Sequence, residues 1–143
     1  MDRETLLDAA RGAAQHAYAP YSGFRVGAAV FATRGLENRV VLGANVENAS
    51  LGLTLCAERA ALSATRMLPA EEDKNVWQVT HIAISCLDAA PSAPVSARMP
   101  CGACRQWIAE LAPDAIVYVD GVAREFRLAD LLPEAFRLDS QHD

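Results

Sequence analysis

Lysine is almost absent from this chain: Lys74 stands alone against twelve arginines in 143 residues. Those arginines are dispersed among acids, and the formal net charge is −5 with a pI near 5.1. A protein that grips a polynucleotide needs a basic face to displace condensed counterions. The charge balance therefore argues against a long nucleic-acid partner and is compatible with a small neutral ligand. Long apolar runs are missing too, none approaching the roughly 18 residues of a membrane helix. The first fifteen residues mix acids and bases among alanines, without the apolar core of a signal peptide. The expectation is a protein of the reducing cytoplasm that meets no membrane. Histidine is scarce, with three in all. His16 falls on an expected helix, His81 inside an apolar strand and His142 in the tail, and none has a ligand spacing. Any soft-metal site must then come from Cys56, Cys86, Cys101 and Cys104. In a reducing compartment, clustered cysteines are metal ligands or catalytic groups rather than a disulfide framework.

What is present is ordinary for one globular domain spanning 1–143, with 52% hydrophobic and 22% charged residues. Helical spacing of Leu6, Leu7, Ala10, Ala13, Ala14 and Ala17 predicts a helix over 4–18. Strands are expected over 24–32 and 40–46, joined as a hairpin by "TRGLEN". A helix over 55–67 ends before Pro69. The charged loop 69–75 precedes a strand over 79–86, and a Pro/Ala/Ser-rich connection leads to a helix over 101–111. The unbroken apolar stretch 115–119 reads as a strand buried on both faces. A turn at 120–121, a further short strand and a helix over 128–136 complete the chain. Helices alternating with strands after an opening hairpin indicate an α/β fold, a three-layer α/β/α sandwich around a mixed five-stranded sheet. There is no internal repeat and no domain boundary.

"PCGACRQ", 100–106, places Cys101 and Cys104 at i,i+3 in the first turn of a helix, on one face. The positive end of a helix favours thiolates there. Cys56 holds the same place at the start of the other central helix. Three readings compete. A closed Cys₄ structural zinc would need Cys86, which ends an apolar strand and reads as a small hydrophobe. A redox C-x-x-C normally follows the first strand of a βαβ unit, and this pair comes late. The third reading is an open Cys56–Cys101–Cys104 zinc site with water in the fourth position. Glu58, two residues past a ligand, supports it, because a hydrolytic proton shuttle sits beside the metal and not on it. Taken alone, Glu58 would be a solvated helix acid; with C-x-E and P-C-x-x-C together, the catalytic reading prevails.

A ligand-x-Glu motif followed by P-C-x-x-C is the signature of zinc deaminases, with three cysteines as one variant. "CAER" (56–59) and "PCGACRQ" resemble the cytidine/deoxycytidylate deaminase superfamily. "AYAPYSGFRVGAAV" (17–30), "GANVENAS" (43–50) and "DLLPEAF" (130–136) extend the resemblance over nearly the whole chain, to the small homotetrameric nucleoside cytidine deaminases. The resemblance implies that Cys56, Cys101 and Cys104 bind Zn²⁺ and that Glu58 shuttles protons while cytidine or 2′-deoxycytidine loses ammonia. It further implies that Asn45 and Glu47 bond the ribose hydroxyls, that Phe24 packs on the pyrimidine, and that the Ala57 backbone fixes the base carbonyl. Phe136 is implied to reach a neighbouring subunit's pocket in a homotetramer with active sites at its interfaces. By themselves, Phe24 and Phe136 would be core or interface aromatics, and 45–48 a polar loop. Arg59 and Gln106, next to ligands, are expected to donate hydrogen bonds to the sulfurs. Met99 departs from the serine common in the family, Leu51 from an aromatic, and the 67–99 connection is longer than usual. Two rival readings are a same-fold deaminase of another aminopyrimidine nucleoside, such as blasticidin S, and a non-catalytic zinc-stabilised interaction module.

Overall fold

In a computed structural model, residues 1–70 and 76–139 are described; most of the charged loop 69–75 and His142 fall outside them. The first helix, α1 (Arg3–Ala14), starts on Asp2, whose carboxylate accepts from the Thr5 amide at 3.0 Å. It ends short of the expected 18 because Tyr18 enters a bridge with Val46 and its amide donates to the Asn45 carbonyl at 2.9 Å. Strands β1 (Val26–Arg34) and β2 (Glu37–Ala44) form the hairpin, turning at Gly35 with φ of 58°. They are followed by α2 (Ala57–Arg66), β3 (Gln78–Cys86), α3 (Gly102–Leu111), β4 (Ile116–Val119) and α4 (Leu128–Leu131), with short 3₁₀ turns at Leu51–Leu53 and Val95–Ala97.

The sheet is mixed and runs β2-β1-β3-β4, with β1 antiparallel to both neighbours and β3 parallel to β4. Among the described residues it has four strands, not the five expected. The candidate fifth strand shrinks to one bridge, in which Val117 and Phe126 exchange two hydrogen bonds of 2.9 Å. Gly121, at φ 80°, turns the chain back, and α4 begins two residues after Phe126, leaving no length for a ladder. The helix α4 is likewise shorter than 128–136, since the residue before Pro133 is driven out of helical geometry, with Leu132 at φ −148° and ψ 72°.

Alternation along the strands sorts side chains into two cores. Ala28, Val30, Ile82, Ile84, Val117 and Val119 face α2 and α3, together with Ala61, Leu62 and Ile108. Ala29, Ala83 and Tyr118 face α1 through Leu6, Leu7 and Ala10. Both faces of the central strands are covered, which is why they read as unbroken apolar runs. Two glycines permit the layers to close: Gly27 lies against Ala10 and Ala14 of α1, and Gly43 against Ala57 and Ala61 of α2. No helix among the described residues is long and apolar enough to cross a membrane.

Candidate metal centre and active site

Helices α2 and α3 point their N-termini at one spot. Cys56 is the N-cap of α2 and Cys101 the N-cap of α3, both with extended backbone, and Cys104 lies in the first turn of α3. Neither N-cap sulfur caps a backbone amide of its helix, so both are free to face the other thiols. The Cys56 and Cys101 Sγ atoms are 3.8 Å apart, those of Cys101 and Cys104 3.4 Å, and all three lie within 4.8 Å of one another. A tetrahedral ion with Zn–S bonds of about 2.3 Å needs S···S edges of about 3.8 Å. The trio therefore fits zinc, and its soft, all-thiolate donor set suits that ion. Cys86 is separate: its Sγ contacts the Arg98 carbonyl at 3.7 Å, and burial pushes its thiol up to about 11. All four cysteines are free thiols.

Charge in the trio is unevenly held. The Cys56 thiol is pulled down to about 5, first by the hydrogen bond from Cys104 and then by the Arg59 guanidinium, against the opposing effect of burial. Cys104 is raised by that same bond and by burial. Arg59 sits where the sequence expects it: its Nη2 is 3.5 Å from the Cys56 sulfur and 2.9 Å from the Thr54 carbonyl. Its Nε is buried without a partner. Gln106 is placed differently, donating instead to the Phe136 carbonyl at 2.8 Å.

Glu58 is 5% exposed, a rare environment for a carboxylate. Burial raises its pKa, and the Cys56 charge adds to the effect. The carboxylate accepts from the Cys104 thiol at 3.6 Å through Oε2. It opens on a cavity of about 180 Å³ that Cys56, Cys101, Ala57, Phe24 and Asn45 also line. The apolar wall of the cavity includes Val26, Cys86, Ala97 and Met99, of which sequence reasoning singled out only Met99 for the pocket. The pairing of Val26 with Cys86 across β1 and β3 brings those two to the cavity, a register that spacing alone does not reveal.

The residues expected to hold a sugar occupy different surroundings. Asn45 borders the cavity, but its Oδ1 accepts from the Val26 amide at 2.8 Å and its Nδ2 donates to the Phe24 carbonyl at 2.9 Å. One amide hydrogen and one lone pair remain for a ligand. Glu47 lies outside the lining and accepts from the Tyr21 and Ser22 amides at 3.0 and 3.1 Å and from Ser22 Oγ at 2.5 Å. Those bonds hold its pKa below the ordinary carboxylate value. Phe136 is exposed and away from the cavity, and Leu51 is exposed as well.

Residues 1–120 match the family described as the cytidine and deoxycytidylate deaminase zinc-binding region. The chain is 42% identical to the cytidine deaminase of Halalkalibacterium halodurans, with 100% of both chains covered. It is also 42% identical to the cytidine deaminase of Mycobacterium tuberculosis, over 97% of this chain and 92% of that protein. The crystal structure of cytidine deaminase from Burkholderia pseudomallei superimposes with a TM-score of 0.77 at 38% identity, covering 95% of this chain and 100% of the other.

Proposed function

This chain belongs to the cytidine and deoxycytidylate deaminase family, and on that footing we propose that it hydrolyses cytidine and 2′-deoxycytidine to uridine, 2′-deoxyuridine and ammonia. The observation that carries the reading is a buried glutamate, Glu58, 3.6 Å from one sulfur of a three-cysteine centre and facing the same cavity. When bound to Cys56, Cys101 and Cys104, zinc supplies the Lewis acidity that activates water for attack on the ring. Glu58 moves the protons. Its burial disfavours the charged form, so its carboxylate readily takes a proton and holds it beside the ring. In this reading it passes one proton, taken from the attacking water, to N3 and a second, taken from the hydroxyl formed at C4, to the departing amino group, so that ammonia leaves and the C4 carbonyl forms.

The remaining residues orient the substrate. Phe24 offers an apolar face to the pyrimidine. The Ala57 amide belongs to the first turn of α2, where N–H groups have no intrahelical partner, and donates to the base carbonyl. Asn45 bonds the ribose with its spare amide hydrogen. Glu47 adds a contact through its remaining acceptor site, since the turn at 21–22 uses three of about four. Phe136, exposed on this protomer, completes a neighbouring pocket in a homotetramer. The whole of 1–143 acts as one domain, in a reducing cytoplasm that keeps the thiols available to metal.

The test is to incubate zinc-replete protein with cytidine, deoxycytidine, cytosine and blasticidin S and follow the ultraviolet loss. Conversion of the two nucleosides supports the reading, whereas metal content without turnover would favour a zinc-stabilised interaction module. Replacing Glu58 by Gln should retain zinc and lower kcat by about 10²–10⁴-fold. A fully active Glu58→Gln variant would refute the assigned role.

A further inference from the structure

Phe24 closes one side of the cavity from a stretch that belongs to neither helix nor strand. From the Phe24 amide to the Val26 amide every backbone polar group is tied. The Phe24 amide donates to Ser22 Oγ at 3.0 Å, and Asn45 takes both the Phe24 carbonyl and the Val26 amide. Arg25, between them, is not among the residues lining the cavity; its bonds run chiefly to the two residues that follow β3. Its amide donates to Asp88 Oδ2 at 2.8 Å, its Nε to the same oxygen at 2.9 Å, and its Nη2 to Oδ1 at 2.8 Å. Its carbonyl accepts from the Leu87 amide at 2.9 Å.

Asp88 lies near the start of the long connection 87–99, whose other end supplies Ala97 and Met99 to the lining of the same cavity. Arg98 crosses that connection to the Ala90 carbonyl at 2.7 Å, and its guanidinium packs close to Gly121, so the segment is held at both ends. An exposed ion pair ordinarily contributes little. This one differs in two respects. A single carboxylate grips both the guanidinium, in two-pronged geometry, and the backbone amide of the same arginine. It also joins two segments that line one pocket. The Arg25 bonds hold Asp88 down to about 2, so the carboxylate is charged throughout the working range.

We propose that Asp88 is a positioning residue for the substrate pocket: by clamping Arg25 it sets the Phe24 wall against the Ala97–Met99 wall. The proposal rests on the nucleoside-deaminase reading for its substrate. The clamp acts on ground-state fit, so its loss should appear in KM and not in kcat. Replacing Asp88 by Ala should raise KM for cytidine about five- to thirty-fold, as expected for losing charge-assisted bonds that pre-organise a pocket. Kcat should stay within about two-fold, since the metal centre and Glu58 are untouched. Replacing Asp88 by Asn keeps an acceptor for the Arg25 amide and should fall between Ala and wild type. Should Asp88→Ala fail to fold, Asp88→Asn carries the same comparison. Amide hydrogen exchange over residues 24–26 should quicken in the same order. An unchanged KM, or a kcat loss at constant KM, overturns the proposal. If wild-type protein converts no nucleoside, the functional reading fails by itself. The clamp is then judged on exchange alone, with faster exchange supporting it and unchanged exchange refuting it.

Discussion

Replacing Gly43 by Ala should damage catalysis through the backbone, without touching any residue of the metal centre. Gly43 lies on β2 where α2 crosses it. A β-carbon there would collide with the Ala57 carbonyl oxygen and stand 2.6 Å from the Ala61 amide nitrogen and 3.0 Å from the Ala61 methyl. Ordinary contact begins near 3.4 Å, and the first two obstacles are backbone, so no rotamer change relieves the overlap. The helix must retreat by about 1 Å, and overpacking of this kind costs about 2–3 kcal/mol. At about 3 °C per kcal/mol for a domain of this size, Tm should fall by about 6–9 °C. The retreat begins at Ala57, directly between Cys56 and Glu58. A misplacement of about 1 Å at reacting groups costs on the order of 10²-fold in rate.

The matched control is Gly27→Ala. Its β-carbon would collide with the Ala10 carbonyl and lie 2.5 Å from the Ala14 amide nitrogen, forcing α1 away from the opposite face of the sheet. The stability loss should be similar, but α1 carries no residue of the centre, so kcat should stay within about three-fold of wild type. Thermal melts, zinc content and kcat on cytidine, measured for both variants below their melting ranges, decide the matter. A Gly43→Ala protein with wild-type kcat would refute the reasoning. So would a Gly27→Ala protein with an equal loss, because the damage would then follow general stability and not the seating of α2.

Arg59→Ala should weaken zinc retention about 10–100-fold in competition with a chelator, as expected for losing an outer donor to a ligand sulfur; unchanged retention would leave Arg59 a merely structural bond to Thr54. Asp120 accepts from both Arg11 and buried Ser85, at 2.8 and 2.9 Å. The Arg11 bond is the main influence keeping its folded pKa below the ordinary 3.8. Its stabilisation is thus complete above about 3.8 and is lost as pH falls through the lower folded value. The gap in denaturation midpoint between wild type and Asp120→Asn should be widest at neutral pH and narrow below about pH 4; a constant gap would contradict this.

Much of the metal centre was legible because its geometry is local. An i,i+3 pair at a helix start, and a third cysteine at another, imply clustered thiols as soon as the two helix N-termini converge. That convergence is tertiary: it follows from both helices packing on one face of the sheet, which no spacing within either motif expresses. The limit of local reasoning is visible in Arg59 and Gln106, both expected to bond ligand sulfurs. Arg59 lies three residues after Cys56, one helical turn on, and its guanidinium meets that sulfur. Gln106 lies two residues after Cys104, on the other side of α3, and bonds the Phe136 carbonyl instead. Adjacency in sequence suggested both, and only helical phase separates them. The same phase argument explains Glu58, two residues after Cys56, whose carboxylate approaches the sulfur of Cys104 on the facing helix and not that of its neighbour. Asn45 and Glu47 escaped any local rule. Their bonds to residues 21–26 exist because the Tyr18–Val46 bridge folds the entry to β1 onto the exit from β2. The pocket wall is thus built on contacts between β1, β2 and β3, and Asp88, absent from every motif in the sequence, is tied to that wall through Arg25.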